Sequence, residues 1–310
     1  MQTIHVYEND ANQRVDKFLQ KALPKLPKSL MYKYIRNKKI KVNGKRCKPE
    51  QKLCNGDIFS CYIAEEFFET KKDMTFLKAK SELQVIYEDT NILIMNKPVG
   101  LLVHSDQNED IDTLINRMKK YLHEKGEYNP ESEQSFAPAL AHRIDRNTQG
   151  LVIGAKNAES LRNINLLIKE RRLDKFYLAL IKGIPNKNAD TWIHYHKKEN
   201  QKIIIRDIEE VGYKQMKTKY HVLKTKQDIS LVEIELFSGR AHQIRAQFAH
   251  MGFPLLGDLR YGSTHTDFQY QALCAYKLVF HSSNNDYFSY LDGKEITLNR
   301  ILLLDYFNQQ

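Results

Sequence analysis

Long hydrophobic runs are missing from this 310-residue chain: no stretch approaches the ~18 apolar residues that a membrane-spanning helix needs. Its first residues, MQTIHVYEND, lack the basic segment and apolar core of a secretory signal, so a cytoplasmic protein with no membrane partner is expected. Thirteen glycines and eight prolines are too few for a collagen-like or low-complexity chain. The four cysteines (Cys47, Cys54, Cys61, Cys274) form no C-x-x-C pair and have no histidine cluster at ligand spacing, so no metal site is expected. Neither a G-x-x-x-x-G-K-[ST] phosphate loop nor a G-x-G-x-x-G turn after a strand is present, and with them go the usual signatures of nucleotide cofactors. A zinc-deaminase pattern and a carboxylate cluster for magnesium are absent too.

What is abundant is positive charge, and it is concentrated. The net charge is +10. Between Arg14 and Lys52 there are fourteen basic residues against Asp16 and Glu50, so this stretch carries +12 and the rest of the chain −2. A small basic module on a near-neutral body is the electrostatic footprint of a nucleic-acid partner, with an acidic membrane surface or a merely solubilising lysine bias as the alternatives.

The basic stretch is patterned for folding. Val15, Phe18 and Leu19 stand at helical spacing before Pro24 and Pro27; a second amphipathic run follows Ser29, a candidate N-cap, with Leu30, Met31, Tyr34 and Ile35. Residues 40–45, IKVNGK, alternate into an Asn-Gly turn, a strong hairpin signal, and 58–63 read as a strand after Asn55-Gly56-Asp57. The expected organisation is a module over 1–63, a linker over 64–81 and a second domain over 82–310. In that domain strands are expected near 83–87, 92–95, 151–153, 177–181 and 231–236, and helices near 113–123, 158–171 and 241–251. Residues 124–135 read as a surface loop. Strands and helices do not alternate regularly, which points to an α+β class.

Three islands hold residues suited to chemistry. In 141–150, AHRIDRNTQG, Asp145 lies among Arg143 and Arg146, where cations favour an ionised acceptor or nucleophile. Taken alone, it reads first as an aspartate in a surface ion pair or capping a turn. In 174–183, DKFYLALIKG, Tyr177 presents a ring and hydroxyl to a cleft or packs as a core tyrosine. In 238–250, SGRAHQIRAQFAH, Arg245 stands one residue from an apolar stripe, placed to pair with a buried carboxylate or to lie on a solvated face.

Residues 14–63 resemble the small S-four RNA-binding module, through LPKSLMYKYIRNKKIKVNGKRC and the closing NGDIFSCYI. HRIDRNTQG, KFYLALIKG and GRAHQIRAQFAHMGFPLLGDLRYG, preceded by MNKPVGLLVH, together resemble the RluA family of pseudouridine synthases, in the family's own order. The resemblance implies a pseudouridine-synthase catalytic domain with a mixed, mainly antiparallel sheet flanked by helices, behind a small α/β RNA-binding domain. It implies conversion of uridine to pseudouridine in RNA without cofactor or metal, and a monomer is expected. Asp145 would be catalytic, Tyr177 would contact the base and act in proton transfer, and Arg245 would pair with Asp145. Ile244 would line the pocket, with His142, Arg143, Arg240 and Lys97 among the substrate contacts. Arg14, Lys28, Lys33, Arg36, Lys38, Lys39 and Lys41 would hold RNA. Large-subunit ribosomal RNA is the expected substrate; transfer RNA, or a binding role without turnover in ribosome assembly, are the alternatives.

Overall fold

In the computed structural model the chain is described over residues 1–69, 72–199, 202–264 and 268–309. The N-terminal module pairs four strands, β1 (Gln2–His5), β2 (Ile40–Val42), β3 (Lys45–Arg46) and β4 (Ile58–Cys61), in the order β1-β4-β2-β3. Helices α1 (Val15–Ala22) and α2 (Lys28–Arg36) cover them. Their core is the apolar set anticipated from the spacing: Val15, Phe18, Leu19, Met31 and Ile35 are buried, with Phe18 stacked on Phe59 at 5.1 Å. The second helix starts one residue before the expected Ser29 cap. Pro27 takes the N-cap position, where its fixed backbone suits entry into a helix, and no side chain caps the turn.

The second domain is built on one large sheet. Its strands are β5 (Gln84–Glu88), β6 (Ile92–Lys97), β7 (Ala139–Leu140), β8 (Gln149–Ala155), β9 (Leu173–Lys182), β10 (Ala189–Glu199), β11 (Lys202–Arg206), β12 (Lys214–Lys226), β13 (Ile229–Leu236), β14 (Leu273–Phe280) and β15 (Glu295–Thr297). They run β11-β10-β12-β13-β9-β14-β8-β6-β5, with β7 added on β8 and β15 on β14. Every recorded pairing is antiparallel except β14 with β8. The mixed, mainly antiparallel sheet is therefore as expected. At the parallel contact Gly150 lies so close to β14 that an added Cβ would meet the Ala275 carbonyl at 2.3 Å, so only glycine lets β8 pass there.

Strict alternation sorts the sheet's residues onto two faces. On β9, Tyr177, Ala179 and Ile181 point to one side, with Val152, Val232 and Leu273; helices α3 (Leu114–Glu124) and α5 (Gln243–His250) pack there through Met118, Leu122, Ile244 and Phe248. Leu178 and Leu180 point to the other side, where α4 (Ala158–Lys169) and α6 (Leu302–Gln309) supply Ile164, Leu167, Leu303 and Phe307. Parity along β9 thus turns Tyr177 to the face on which α5 packs Ile244.

The segment 64–81 is anchored at both ends. Phe67 and Phe68 pack on the module's core. Phe76 is buried in the second domain, against the rings of His123 at 5.6 Å and Tyr128 at 5.8 Å.

Candidate active site

The loop between β7 and β8 carries Asp145, and the start of α5 carries Arg245. Arg245 Nη1 donates to Asp145 Oδ2 at 2.9 Å. Its remaining edge is taken by a residue that the motif reading did not single out: Nε donates to Asp258 Oδ2 at 2.7 Å and Nη2 to Asp258 Oδ1 at 2.9 Å. One guanidinium therefore bridges two carboxylates in a fixed plane, which lysine could not do. Asp258 is almost fully buried (1% of its side chain exposed), whereas Asp145 keeps 26% open. Burial works to lower the Arg245 pKa, but the bonds to Asp258 and Asp145 outweigh it and raise it, so the cation is permanent. Tyr261 lies over the guanidinium at 5.2 Å and bonds His242 Nδ1 through its hydroxyl at 3.0 Å. Gly257, just before Asp258, has φ +73°, and a Cβ added there would lie 2.3 Å from the Tyr270 carbonyl oxygen.

Asp145, Arg143, Ile144, Tyr177, Arg240, Ile244 and Arg245 all line one cavity of about 330 Å³, within the range of small-ligand pockets, roughly 300–1,000 Å³. Tyr177 reaches it from β9, and its hydroxyl makes no hydrogen bond among the described residues. Burial first, and then the Asp145 charge, raise its pKa, so the phenol stays protonated. Lys198, near the end of β10, also lines the cavity; nothing in its local sequence distinguishes it from a surface lysine.

Two expected substrate contacts lie elsewhere. Lys97 is fully buried, and its ammonium donates to the carbonyls of Pro98 (2.7 Å), Leu101 (2.9 Å) and Arg146 (2.7 Å). Burial pushes its pKa down to about 7, opposed by the Asp145 charge. Three carbonyls match the three donors of an ammonium group, so Lys97 ties the Asp145 loop to the end of β6 with its donors turned onto backbone. His142 accepts the Ile153 N–H on Nε2 at 3.3 Å, behind β8 and outside the cavity lining. Burial, then the Lys175 charge, push it down to about 3, so it is neutral at working pH.

In the module, Lys28, Lys33, Arg36, Lys38 and Lys39 are exposed and Lys41 half-buried, and none of these six forms an ion pair among the described residues. Lys39 and Lys41 lie over the rings of Tyr34 and Tyr62 at 5.5 Å each, the mixture of cation and aromatic that suits single-stranded RNA. Arg14 differs: its guanidinium is engaged by both oxygens of Asp16, at 3.0 and 2.9 Å.

His194, Asp207 and His250 offer donor atoms close enough together for a metal ion. Their hydrogen bonds argue for another use. Gln243 Oε1 accepts the Arg240 N–H (3.1 Å), so its Nε2 donates to Thr218 Oγ1 (3.0 Å). Thr218 then donates to Gln247 Oε1 (2.6 Å), which turns the Gln247 N–H onto His194 Nδ1 (2.8 Å). The His194 proton is left on Nε2, 3.7 Å from Asp207, where a metal would need a lone pair.

The sequence profile described as RNA pseudouridylate synthase matches residues 91–250, and that described as S4 domain matches 13–59. The chain belongs to the RNA pseudouridylate synthase family. This pseudouridine synthase is 34% identical to an RNA pseudouridine synthase of Mycoplasma capricolum, over 95% of this chain and 96% of the relative. It is also 34% identical to the ribosomal large subunit pseudouridine synthase C of Buchnera aphidicola from Schizaphis graminum, over 85% and 82%. Among solved structures, human RNA pseudouridylate synthase domain containing 1 superposes with a TM-score of 0.52 at 21% identity, covering 74% of this chain and 95% of that one. Such a likeness concerns the fold. The enzyme is thus an isomerase of the RluA type with an RNA-binding S4 module, and no described helix is long and apolar enough to cross a membrane.

Proposed function

We propose that this enzyme isomerises particular uridines of large-subunit ribosomal RNA, with Asp145 as its catalytic carboxylate. The observation that carries the assignment is the Asp145 carboxylate, held at 2.9 Å by a permanent cation and left partly open to a cavity faced by Tyr177. Pseudouridine formation breaks N1–C1′ and joins C5 to C1′, so a carboxylate beside the sugar is the group the chemistry requires. Asp145 serves either as nucleophile at C1′ or as base at C2′, in the manner of glycosidase carboxylates. Arg245 and Asp258 fix its position and keep it from swinging toward the phosphates. Tyr177 faces the flipped base, and its protonated hydroxyl is placed to relay a proton as C5 loses one and N1 gains one, while Ile244 lines the pocket. Arg143 and Arg240, on the rim, meet the backbone flanking the target. The exposed lysines of the module add sequence-independent attraction.

The ribosomal reading rests on the name of the Buchnera relative and on the basic module. Pseudouridine mapping of total RNA from cells with and without the gene tests it. Loss of signal at sites in large-subunit ribosomal RNA is expected. Loss confined to transfer RNA would move the substrate, and no loss anywhere would overturn the assignment.

A further inference from the structure

The module and the catalytic domain meet through a compact set of hydrogen bonds, and these come from one short segment. Asp10 is fully buried; its Oδ1 accepts both the Ser135 N–H (3.1 Å) and the Ser135 hydroxyl (2.6 Å), while its Oδ2 accepts the Tyr7 N–H (3.1 Å). Gln13 Nε2 donates to the same Ser135 Oγ at 2.6 Å. Asn9 reaches two further partners. Its Nδ2 donates to Glu133 Oε1 at 3.0 Å, and its Oδ1 accepts the N–H of Ala158, the first residue of α4. A helix's first turn leaves its N–H groups without internal partners, so Asn9 completes from outside the cap that Asn157 begins on Ser160. The segment 124–135, a surface loop by its sequence, is where the module is received.

We propose that Asn9, Asp10 and Gln13 form a latch with Ser135, Glu133 and Ala158 that fixes the basic module against the catalytic domain, and that this makes them determinants of which RNA sites are modified. A tethered module raises the local concentration of any RNA. A latched one does so only for RNA whose phosphates and target uridine are separated by the distance the latch sets. Asp10 is the centre of the device because a buried carboxylate is satisfied there by hydrogen-bond donors from both sides of the boundary. Opening the boundary strips it of both Ser135 donors at once. The substrate implied is an RNA that spans both parts, larger than a hairpin that merely fills the cavity. The inference rests on the RNA-modifying reading above.

The test uses the full-length enzyme and its Asp10→Asn, Ser135→Ala and doubly substituted forms. Two RNAs are compared: large-subunit ribosomal RNA from cells lacking the gene, and a short hairpin carrying one uridine mapped in it. Amide hydrogen exchange of the protein alone is measured first. It should show faster exchange at Ser135 and Ala158 in each variant with the cores of both domains unchanged. On the long RNA, KM should rise about tenfold with kcat retained, as expected when a linked site loses its effective concentration. On the hairpin, both constants should stay near wild type. The double variant should be no worse than the more affected single one, because Asp10 and Ser135 act on each other. Equal losses on both RNAs, or no change on either, would overturn the latch. Absence of turnover by the unsubstituted enzyme on both RNAs would instead overturn the functional reading and leave the exchange result standing.

Discussion

Each half of the molecule holds an aspartate against an arginine, and the two pairs are made in different ways. In the basic module Arg14 grips Asp16 two residues along the chain; Arg14 is half exposed, and Asp16 also accepts the Tyr32 hydroxyl at 3.0 Å. In the catalytic domain Arg245 lies one hundred residues from Asp145 and thirteen from Asp258, and is largely buried with them. The local pair ties the N-cap residue to the first turn of α1, between residues already close along the chain. The distant pair exists only when β7, β8 and α5 have been brought together by the sheet. In the module Lys28, Lys33, Arg36, Lys38, Lys39 and Lys41 have no ion pair among the described residues, while the charge of Arg245 is spent on geometry.

Breaking the distant pair should have the largest effect. Arg245→Ala leaves Asp145 and Asp258 facing each other without a cation, and removing one partner of a buried ion pair costs about 3–5 kcal/mol. A large fall in melting temperature together with loss of turnover is expected. An unchanged melting temperature and activity would show the guanidinium to be dispensable. The corresponding Arg14→Ala change should cost far less, since the pair is half open to solvent.

Next in size is Lys97→Met, which keeps the side chain's bulk and deprives three carbonyls of their donor. A destabilisation of about 2 kcal/mol is expected, with kcat reduced because Arg146, whose carbonyl is released, adjoins Asp145. Wild-type kcat in this variant would mean that the loop holds its shape unaided.

The pH dependence should also separate the halves. His104, His142, His194, His196 and His242 all have pKa values held below the ordinary 6.5, by burial in the first place, and all lie in the catalytic domain. Below pH 6.5 the unfolded chain takes up protons that the folded chain refuses, so stability falls as pH drops. The loss continues toward about 3, where His142 charges in the fold as well. Trp192, the single tryptophan, reports this domain by fluorescence. Its melting temperature should decline from about pH 6.5 to about pH 5; a constant value would contradict the buried-neutral reading of these rings.

These differences also explain what could be read in advance. The module was legible because its signals are local: helical spacing, an Asn-Gly turn and unopposed lysines. The meeting of Asp145, Tyr177 and Arg245 at one cavity was legible through motif resemblance, and parity along β9 sets the side from which Tyr177 reaches it. Asp258 stood within a recognised motif, but nothing in GDLRYG tells that its carboxylate turns inward. Lys97 and His142 went the other way, since a polar residue in a motif gives no indication of whether its partner is substrate or backbone. Strands β10 and β12 are hard to read locally because lysine, histidine and threonine fill many of their positions. The contacts of Asn9 and Asp10 join residues about 125 apart, beyond any local pattern.

The smallest expected effect sharpens the comparison from the module's side. Truncating the module would strip Ser135 and Ala158 of partners, so charge is better removed by substitution. Replacing Lys28, Lys33, Lys38 and Lys39 with glutamine should flatten the dependence of log affinity on log salt by about three units if each meets a phosphate, at roughly 0.7–0.9 per contact. Turnover at saturating enzyme and low salt should remain. An unchanged slope would mean that the exposed lysines of the module do not touch RNA.

Asp145→Asn tests the central claim most directly, because it preserves shape and removes the negative charge. Single-turnover pseudouridine formation is measured on large-subunit ribosomal RNA from cells lacking the gene, at saturating enzyme, alongside the dissociation constant for the same RNA. Binding should stay within a few-fold of wild type while pseudouridine falls below detection. Retention of more than a small fraction of wild-type turnover would contradict the assignment and place the catalytic carboxylate elsewhere.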